Sequence, residues 1–316
     1  MADIIDGAAI AEELKAELRA EVAALEASGR APAVATLLVG DDYGARMYRR
    51  QVERLAGEVG LGYRNVSLDA GAGLDRVVKA MHALGADPTI SGILPLRPLP
   101  VGVAEGPVLD AMPPMKDIDC LHPINAGWLA LGQPRFLPAT AWACFEVIER
   151  YAARSGRDPR SVFEGRELVI VGRSNIVGKP AYFLALQRNC TPTTVHSFTW
   201  KAGALPAHTR RADILIVAMG RAEFITPEMV KPGAIVVDVG INSVPVVDAS
   251  GRPVLDERGQ PRRRTVGDVA FDQVRDVASA ITPVPGGVGV VTNVLLMRNV
   301  VRAAQMASPA GSPPGS

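Results

Sequence analysis

The stretch Arg166-Glu167-Leu168-Val169-Ile170-Val171-Gly172-Arg173-Ser174-Asn175-Ile176-Val177-Gly178-Lys179-Pro180 decides the fold. An apolar run ends in a glycine turn and passes into a helix start, the grammar of a strand covered on both faces. Such a turn points backbone N–H groups at an anion, and the helix dipole adds a favourable field for a pyrophosphate. Ser174 stands where the second glycine of G-x-G-x-x-G would be, so the spacing fits a nucleotide site and an ordinary strand-to-helix turn alike. The next strand, read over Thr191 to Thr199, has no acid to hold ribose hydroxyls. It offers His196, Ser197 and Thr199 instead, and Arg173 with Ser197 would suit a 2′-phosphate through charge-assisted hydrogen bonds.

Working outward, Ala212 to Gly220 and Gly233 to Asn242 read as further buried strands with glycine where the chain leaves them. Ligands of such sheets bind beyond the carboxyl ends of the strands. Residues 244 to 265 are polar, with turn signals at Ser250-Gly251 and Arg258-Gly259, and read as a surface hairpin whose run Arg262 to Arg264 is solvated. Upstream, residues 7 to 28 place Ile10, Leu14, Leu18, Val22 and Leu25 at helical spacing, closed by Gly29. A strand (33 to 40), a helix (44 to 60), a strand from Asn65, a helix from Leu74 and the apolar Ser91 to Leu96 follow. Strand and helix alternate, which predicts an α/β layer with a parallel sheet. A helix from Thr140 to Ala153 and a polar connector mark a boundary near 145 to 165. The expected division is an N-terminal α/β domain over 1–145, completed by a C-terminal helix over 290–307, a Rossmann-type domain over 146–289, and a disordered tail over 308–316.

Composition narrows the function classes. The 316 residues are 48% hydrophobic and 21% charged, as in ordinary globular proteins, and no apolar run is long enough to span a bilayer. With 34 Lys and Arg against 33 Asp and Glu, the net charge of +1 gives no global field for nucleic acid or an acidic membrane. Cys120, Cys144 and Cys190 lack metal-ligand spacing, the four histidines are scattered, and no metal site is expected. The acidic N-terminus does not read as a signal peptide, and a reducing cytoplasm is the default.

Two more loops carry chemistry. In Ile281-Thr282-Pro283-Val284-Pro285-Gly286-Gly287-Val288-Gly289, prolines stiffen the backbone and glycines permit close approach to a flat ligand. Pro114-Met115-Lys116-Asp117-Ile118-Asp119-Cys120-Leu121-His122-Pro123 sets two acids beside a turn; solvated loop charges and a polar site both fit this pattern.

The order SNIVGKP, DVGIN, VGDV and TPVPGGVG, preceded by KDIDCLHP and a tyrosine-bearing helix after LLVG, resembles the methylenetetrahydrofolate dehydrogenase/cyclohydrolase family of the bacterial FolD type. The resemblance covers roughly residues 3 to 307. It implies an α/β fold with an N-terminal folate-binding domain, a Rossmann-type NADP domain, a cleft between them, and a homodimer in the cytoplasm. The implied substrate is a tetrahydrofolate derivative. Tyr48 matches the family tyrosine that stacks on folate, and Asp119 the acid that pairs with the pterin; these are the candidate catalytic residues. Pro285, Gly286, Gly287 and Val288 match the loop beside bound folate. Gly172, Arg173, Ser174, Ile176 and Ser197 match NADP-binding positions, and Gly240 and Ile241 the loop near the nicotinamide.

Departures from the family pattern cluster in the folate domain. Val52 stands at the family's lysine, four residues after Tyr48, and Leu96 at its glutamine. Ala45 replaces a serine, Cys120 a glycine, Ala139 and Ala141 the Cys and Pro of a PCTP stretch, and Val290 a proline. Hydride transfer depends chiefly on positioning and on the cofactor's electronics, whereas hydrolysis of the methenyl cation needs proton transfers. Val52 and Leu96 cannot exchange protons, and the arginines nearby in sequence, Arg50 and Arg97, make poor bases. The expected function is therefore NADP-dependent oxidation of 5,10-methylenetetrahydrofolate with the cyclohydrolase step lost or feeble. The competing reading is a divergent folate- or nucleotide-binding homologue with another one-carbon role, as in specialised metabolism, or with no catalysis.

Overall fold

The protein is described by a computed structural model covering residues 1–248, 252–257 and 259–307; Ser250-Gly251, Arg258 and the tail over 308–316 lie outside the described residues. In chain order the first part forms β1 (Asp3–Ile4), α1 (Gly7–Ala27), β2 (Ala33–Val39), α2 (Tyr43–Val59), β3 (Gly62–Leu68), α3 (Leu74–Ala86), β4 (Gly92–Pro95), α4 (Glu105–Asp110) and α5 (Pro123–Ala130). The second part forms α6 (Ala139–Arg154), β5 (Glu167–Val171), α7 (Gly178–Leu186), β6 (Thr191–Val195), α8 (Ser197–Lys201), α9 (Leu205–Thr209), β7 (Ile214–Val217), β8 (Ile235–Asp238), β9 (Asn242–Pro245), β10 (Arg263–Val266), α10 (Phe271–Val274), β11 (Ala280–Ile281) and α11 (Val288–Met306). The chain divides into two compact units, one of Met1–Ile10 with Thr140–Thr292, the other of Ala11–Ala139 with the chain from Asn293 onward. Among the described residues no helix is long and apolar enough to cross a membrane.

The unit built around Ala11–Ala139 holds a parallel sheet in the order β3-β2-β4. Strand β2 is central and apolar on both faces, apart from Thr36, which is fully buried. Its hydroxyl is satisfied there by the Tyr63 hydroxyl at 2.7 Å and Asn65 Oδ1 at 3.0 Å. Val77, Met81 and Leu84 of α3 pack on Ala35, Leu37 and Ile93 of the sheet. Helix α2 begins where the Asp42 carboxylate accepts the Ala45 N–H at 2.8 Å and ends at Gly60, whose φ of 85° is left-handed. It buries Ala45, Val52, Leu55, Ala56 and Val59, the stripe that helical spacing requires.

The other unit carries a six-stranded sheet in the order β1-β11-β8-β7-β5-β6, parallel throughout. The chain runs from β5 outward to β6 and then returns to place β7 on the other side of β5. That reversal puts a topological switch point at the carboxyl end of β5, where Gly172 begins. The excursion after β8 is an antiparallel hairpin of β9 and β10, with Asn242 opposite Val266. One sequence expectation is corrected: the strand read over Thr191 to Thr199 stops at Val195. His196 Nδ1 accepts the Phe198 N–H at 3.3 Å and Thr199 Oγ1 accepts the His196 N–H at 3.2 Å, which turns the chain into α8.

Candidate functional site

In the unit with β2, the side chains of interest lie on α2, on the loop after β4 and on the loop 117–122. Asp117 is fully buried and accepts the Leu121 N–H at 3.0 Å, the His122 N–H at 2.8 Å and Asn125 Nδ2 at 2.9 Å. Burial raises its pKa, and those donors oppose the rise. From the last helix, Asn299 Nδ2 donates to the carbonyls of Ile118 at 2.7 Å and Leu137 at 2.8 Å. The loop is thus pinned on both sides of Asp119, and Cys120 is held at a φ of 57°, a conformation that favours glycine.

Asp119 is half-buried. Loss of hydration and the neighbouring Asp117 push its carboxyl up to about 7, against the pull of Arg97 and the Ala139 N–H. Tyr48 is likewise half-buried on α2, and its phenol is raised by burial and by the charge of Asp119. The two groups are therefore electrostatic neighbours. Arg97 Nε stands 2.6 Å from Glu105 Oε1, so this guanidinium is anchored beside the loop. Val52 is 2% exposed and Leu96 1% exposed, which leaves neither position a polar group or contact with water. Ala45, one turn before Tyr48, is also buried.

In the unit with β5, Gly172 has a φ of 135°, and a Cβ there would lie 2.3 Å from the Ala218 carbonyl oxygen. A Cβ on Gly178 would lie 2.3 Å from the Gly172 carbonyl oxygen, so both glycines are required by close backbone approach. Ser174 takes up the helix start: its hydroxyl accepts the Val177 N–H at 3.1 Å. Arg173 and Ser174 are exposed and Ile176 half-buried. Ser197 is exposed at the start of α8, and the Arg173 guanidinium lies 5.6 Å from the ring centre of the adjacent Phe198. Arg173 thus lies over the ring of the residue that follows Ser197, at the carboxyl ends of β5 and β6.

Gly240 and Ile241 follow β8. Ile241 is 74% exposed, a large apolar side chain left mostly open, whereas Gly240 is buried with its N–H on Asp238 Oδ1 at 2.9 Å. Pro285, Gly286 and Gly287 form the turn into α11, which begins at Val288. A Cβ on Gly287 would lie 2.4 Å from the Pro283 carbonyl oxygen, so the turn tolerates no side chain there. The sequence reading passed over Asp238, Asp268, Asn125 and Asn299, all buried polar residues. The VGDV motif was a signal for Asp268, but a buried acid and a solvated loop acid look alike in sequence.

Residues 5–119 match the family described as tetrahydrofolate dehydrogenase/cyclohydrolase, catalytic domain, and residues 138–308 match the NAD(P)-binding domain of the same family. The bifunctional protein FolD 3 of Rubrobacter xylanophilus is 46% identical over 302 residues, which cover 96% of this chain and 92% of that protein. The crystal structure of the bifunctional enzyme FolD, methylenetetrahydrofolate dehydrogenase/cyclohydrolase, from Campylobacter jejuni is similar at a TM-score of 0.85 and 33% identity, covering 96% of this chain and 99% of that one. The Trypanosoma brucei methylenetetrahydrofolate dehydrogenase-cyclohydrolase, solved with NADP cofactor and an inhibitor, gives a TM-score of 0.83 at 33% identity, covering 96% and 97%. Both matched regions and the relatives' near-complete coverage lead to one conclusion: the chain belongs to the tetrahydrofolate dehydrogenase/cyclohydrolase family.

Proposed function

We propose that the protein oxidises 5,10-methylenetetrahydrofolate to 5,10-methenyltetrahydrofolate with NADP and that it has lost most or all of the cyclohydrolase step. The observation that carries the reading is a contrast: Tyr48 and Asp119 keep a polar, half-buried setting, while Val52 and Leu96 are apolar and sealed from water. An ionised Asp119 can accept two parallel N–H groups from a pterin, one from the ring and one from the amino substituent. Tyr48 supplies a flat face beside it. Pro285, Gly286, Gly287 and Val288 are taken as folate-binding from the family resemblance alone, with Gly287 admitting no side chain at the tightest point of that turn.

Bound NADP would supply the hydride acceptor for this oxidation, in which the methylene carbon loses two electrons and becomes the methenyl cation. The residues of this chain fit the cofactor. Gly172 and Gly178 bring the start of α7 against the end of β5, where the helix field favours a pyrophosphate, and Arg173 with Ser197 offers donors to a 2′-phosphate. Gly240 and Ile241 stand at the end of β8, with the exposed Ile241 side chain available to the nicotinamide. No step of the oxidation requires a protein base, since a hydride and not a proton leaves the carbon. Hydrolysis differs: a water must lose a proton, and neither Val52 nor Leu96 can take one. The same reading takes the protein as a cytoplasmic homodimer with no nucleic acid or membrane partner.

The test is a turnover assay with methylenetetrahydrofolate and either NADP or NAD, following reduced cofactor and the methenyl product together. NADP-dependent formation of both in equal amounts supports the reading; folate and NADP binding with no hydride transfer would establish a binding protein instead.

A further inference from the structure

We propose that Asp268 is a positioning residue for the nicotinamide half of the cofactor, tying together the loops that leave β7 and β8; the inference rests on the reading of this unit as the holder of NADP. Asp268 is fully buried. Its Oδ2 accepts the Met219 N–H at 2.6 Å and the Gly220 N–H at 2.8 Å, and its Oδ1 accepts the Arg221 N–H and Asn242 Nδ2, both at 2.8 Å. Residues 219–221 follow β7 and residues 239–242 follow β8, so one carboxylate gathers donors from beyond the carboxyl ends of two neighbouring parallel strands. That edge of the sheet is where such folds hold their ligands.

Asp268 is itself fixed by a second carboxylate. Asp238, the last residue of β8, accepts the Gly240 N–H at 2.9 Å and the Asp268 N–H at 3.0 Å on Oδ1, and the Val269 N–H at 2.8 Å on Oδ2. The Asp238 N–H in turn donates to Thr282 Oγ1 at 2.8 Å, at the head of the loop that runs to Gly287. The packing leaves no slack. A Cβ on Gly240 would lie 2.3 Å from the Asp268 carboxyl carbon, and one on Gly267 would collide with Asp238. The path of Gly240 and Ile241 is thus set from below by Asp268 and from behind by Asp238. Charged acceptors make the stronger hydrogen bonds, and a buried carboxylate with its donors met holds them more rigidly than solvent could.

The arrangement predicts a split between the two halves of the cofactor. Arg173 and Ser197 stand by β5 and β6 and owe nothing to Asp268. Asp268→Asn replaces one acceptor with an N–H donor facing backbone N–H groups, which should release residues 219–221 or Asn242. Asn242→Ala removes a single donor and leaves the other three in place, and it keeps the proposal testable if the first variant folds poorly. The full-length protein and both variants are titrated with NADPH by fluorescence and with adenosine 2′,5′-bisphosphate, which lacks the nicotinamide, by calorimetry. Expected is a loss of NADPH affinity of about tenfold or more in Asp268→Asn and a smaller loss in Asn242→Ala, with adenosine bisphosphate affinity within about twofold of the unmutated protein in both. Equal weakening of both ligands in Asn242→Ala, or unchanged NADPH affinity in that variant, would overturn the positioning role. An unmutated protein that binds neither ligand would instead overturn the NADP reading itself.

Discussion

Asp117 and Asp119 stand two residues apart in one loop, yet their surroundings divide the work between them. Asp117 is roofed by the N–H groups of Leu121 and His122 and by Asn125 Nδ2, at 3.0, 2.8 and 2.9 Å. Asp119 faces the charge of Asp117, with the Ala139 N–H and the Arg97 guanidinium as counterweights. The first carboxylate is structural, and the second is left with bonding capacity for a ligand.

That capacity has a cost in stability with a definite sign. The Asp119 carboxyl is pushed up to about 7 in the folded chain, above its ordinary value near 4, so the native state binds the proton more tightly than the unfolded chain does. Its contribution to stability therefore falls as pH rises from about 4 to about 7 and stays unfavourable above. Asp119→Asn removes the charge. Thermal melting at pH 8 should show a Tm higher by on the order of 2 °C, a difference that shrinks as pH falls and is gone only near pH 4, while folate binding is lost throughout. Asp238, pushed up to about 6 mainly by burial, adds a trend of the same sign to both proteins and cancels in the comparison. A lower Tm for the variant at pH 8 would show that ionised Asp119 is held by the fold.

Arg173 and Ser197 should set the preference for NADP over NAD. Loss of a charge-assisted contact to the 2′-phosphate predicts that Arg173→Ala weakens NADP by roughly 10- to 100-fold while changing NAD affinity little. Titration of both cofactors checks this, and equal affinities in the unmutated protein would remove the basis for it.

Cys120 carries the family's glycine position into a φ of 57°, and its side chain packs against Phe136 and Ala303. Two effects oppose one another there. Cys120→Ala loses packing and keeps the backbone strain; Cys120→Gly loses packing but relieves the strain, worth roughly 1 kcal/mol. The glycine variant should be the more stable of the two by about that amount, as read from urea unfolding midpoints at constant m-value.

The fold was largely legible because its strands are short apolar runs ended by glycine: Val169–Gly172, Ile214–Gly220 and Ile235–Gly240 each announce a buried strand and the loop beyond it. Pairing over long distance was not. Strand β1, only Asp3–Ile4, joins Ala280–Ile281 at the far end of the chain, and no local pattern marks two residues as a strand. The start of α8 was missed because its cap is a histidine side chain, outside the usual capping set. The site was legible as motifs, and its roles only through the family resemblance. Spacing alone leaves Asp117 and Asp119 equivalent; the resemblance implies a ligand role for Asp119, and the fold adds a physical difference by delivering N–H donors from Leu121, His122 and Asn125 to Asp117.

Placing at Val52 and Leu96 the Lys and Gln that the family resemblance implies should be cooperative. Val52→Lys alone places an ammonium at a position 2% exposed and should cost stability with little gain in hydrolysis. Val52→Lys with Leu96→Gln should raise methenyltetrahydrofolate hydrolysis by more than the product of the two single effects, since groups acting as one unit are not additive. Multiplicative behaviour in the four-protein cycle would show that the two positions act independently.

The proposed loss of hydrolysis, argued from Val52 and Leu96, is tested most directly by mixing the unmutated protein with purified 5,10-methenyltetrahydrofolate and following its disappearance against a protein-free control. The expected result is decay at the control rate, or barely above it, in a preparation that still oxidises methylenetetrahydrofolate with NADP. Hydrolysis faster than the control by the about 10²- to 10⁴-fold typical of positioned acid–base groups would contradict it and show that another side chain handles the proton.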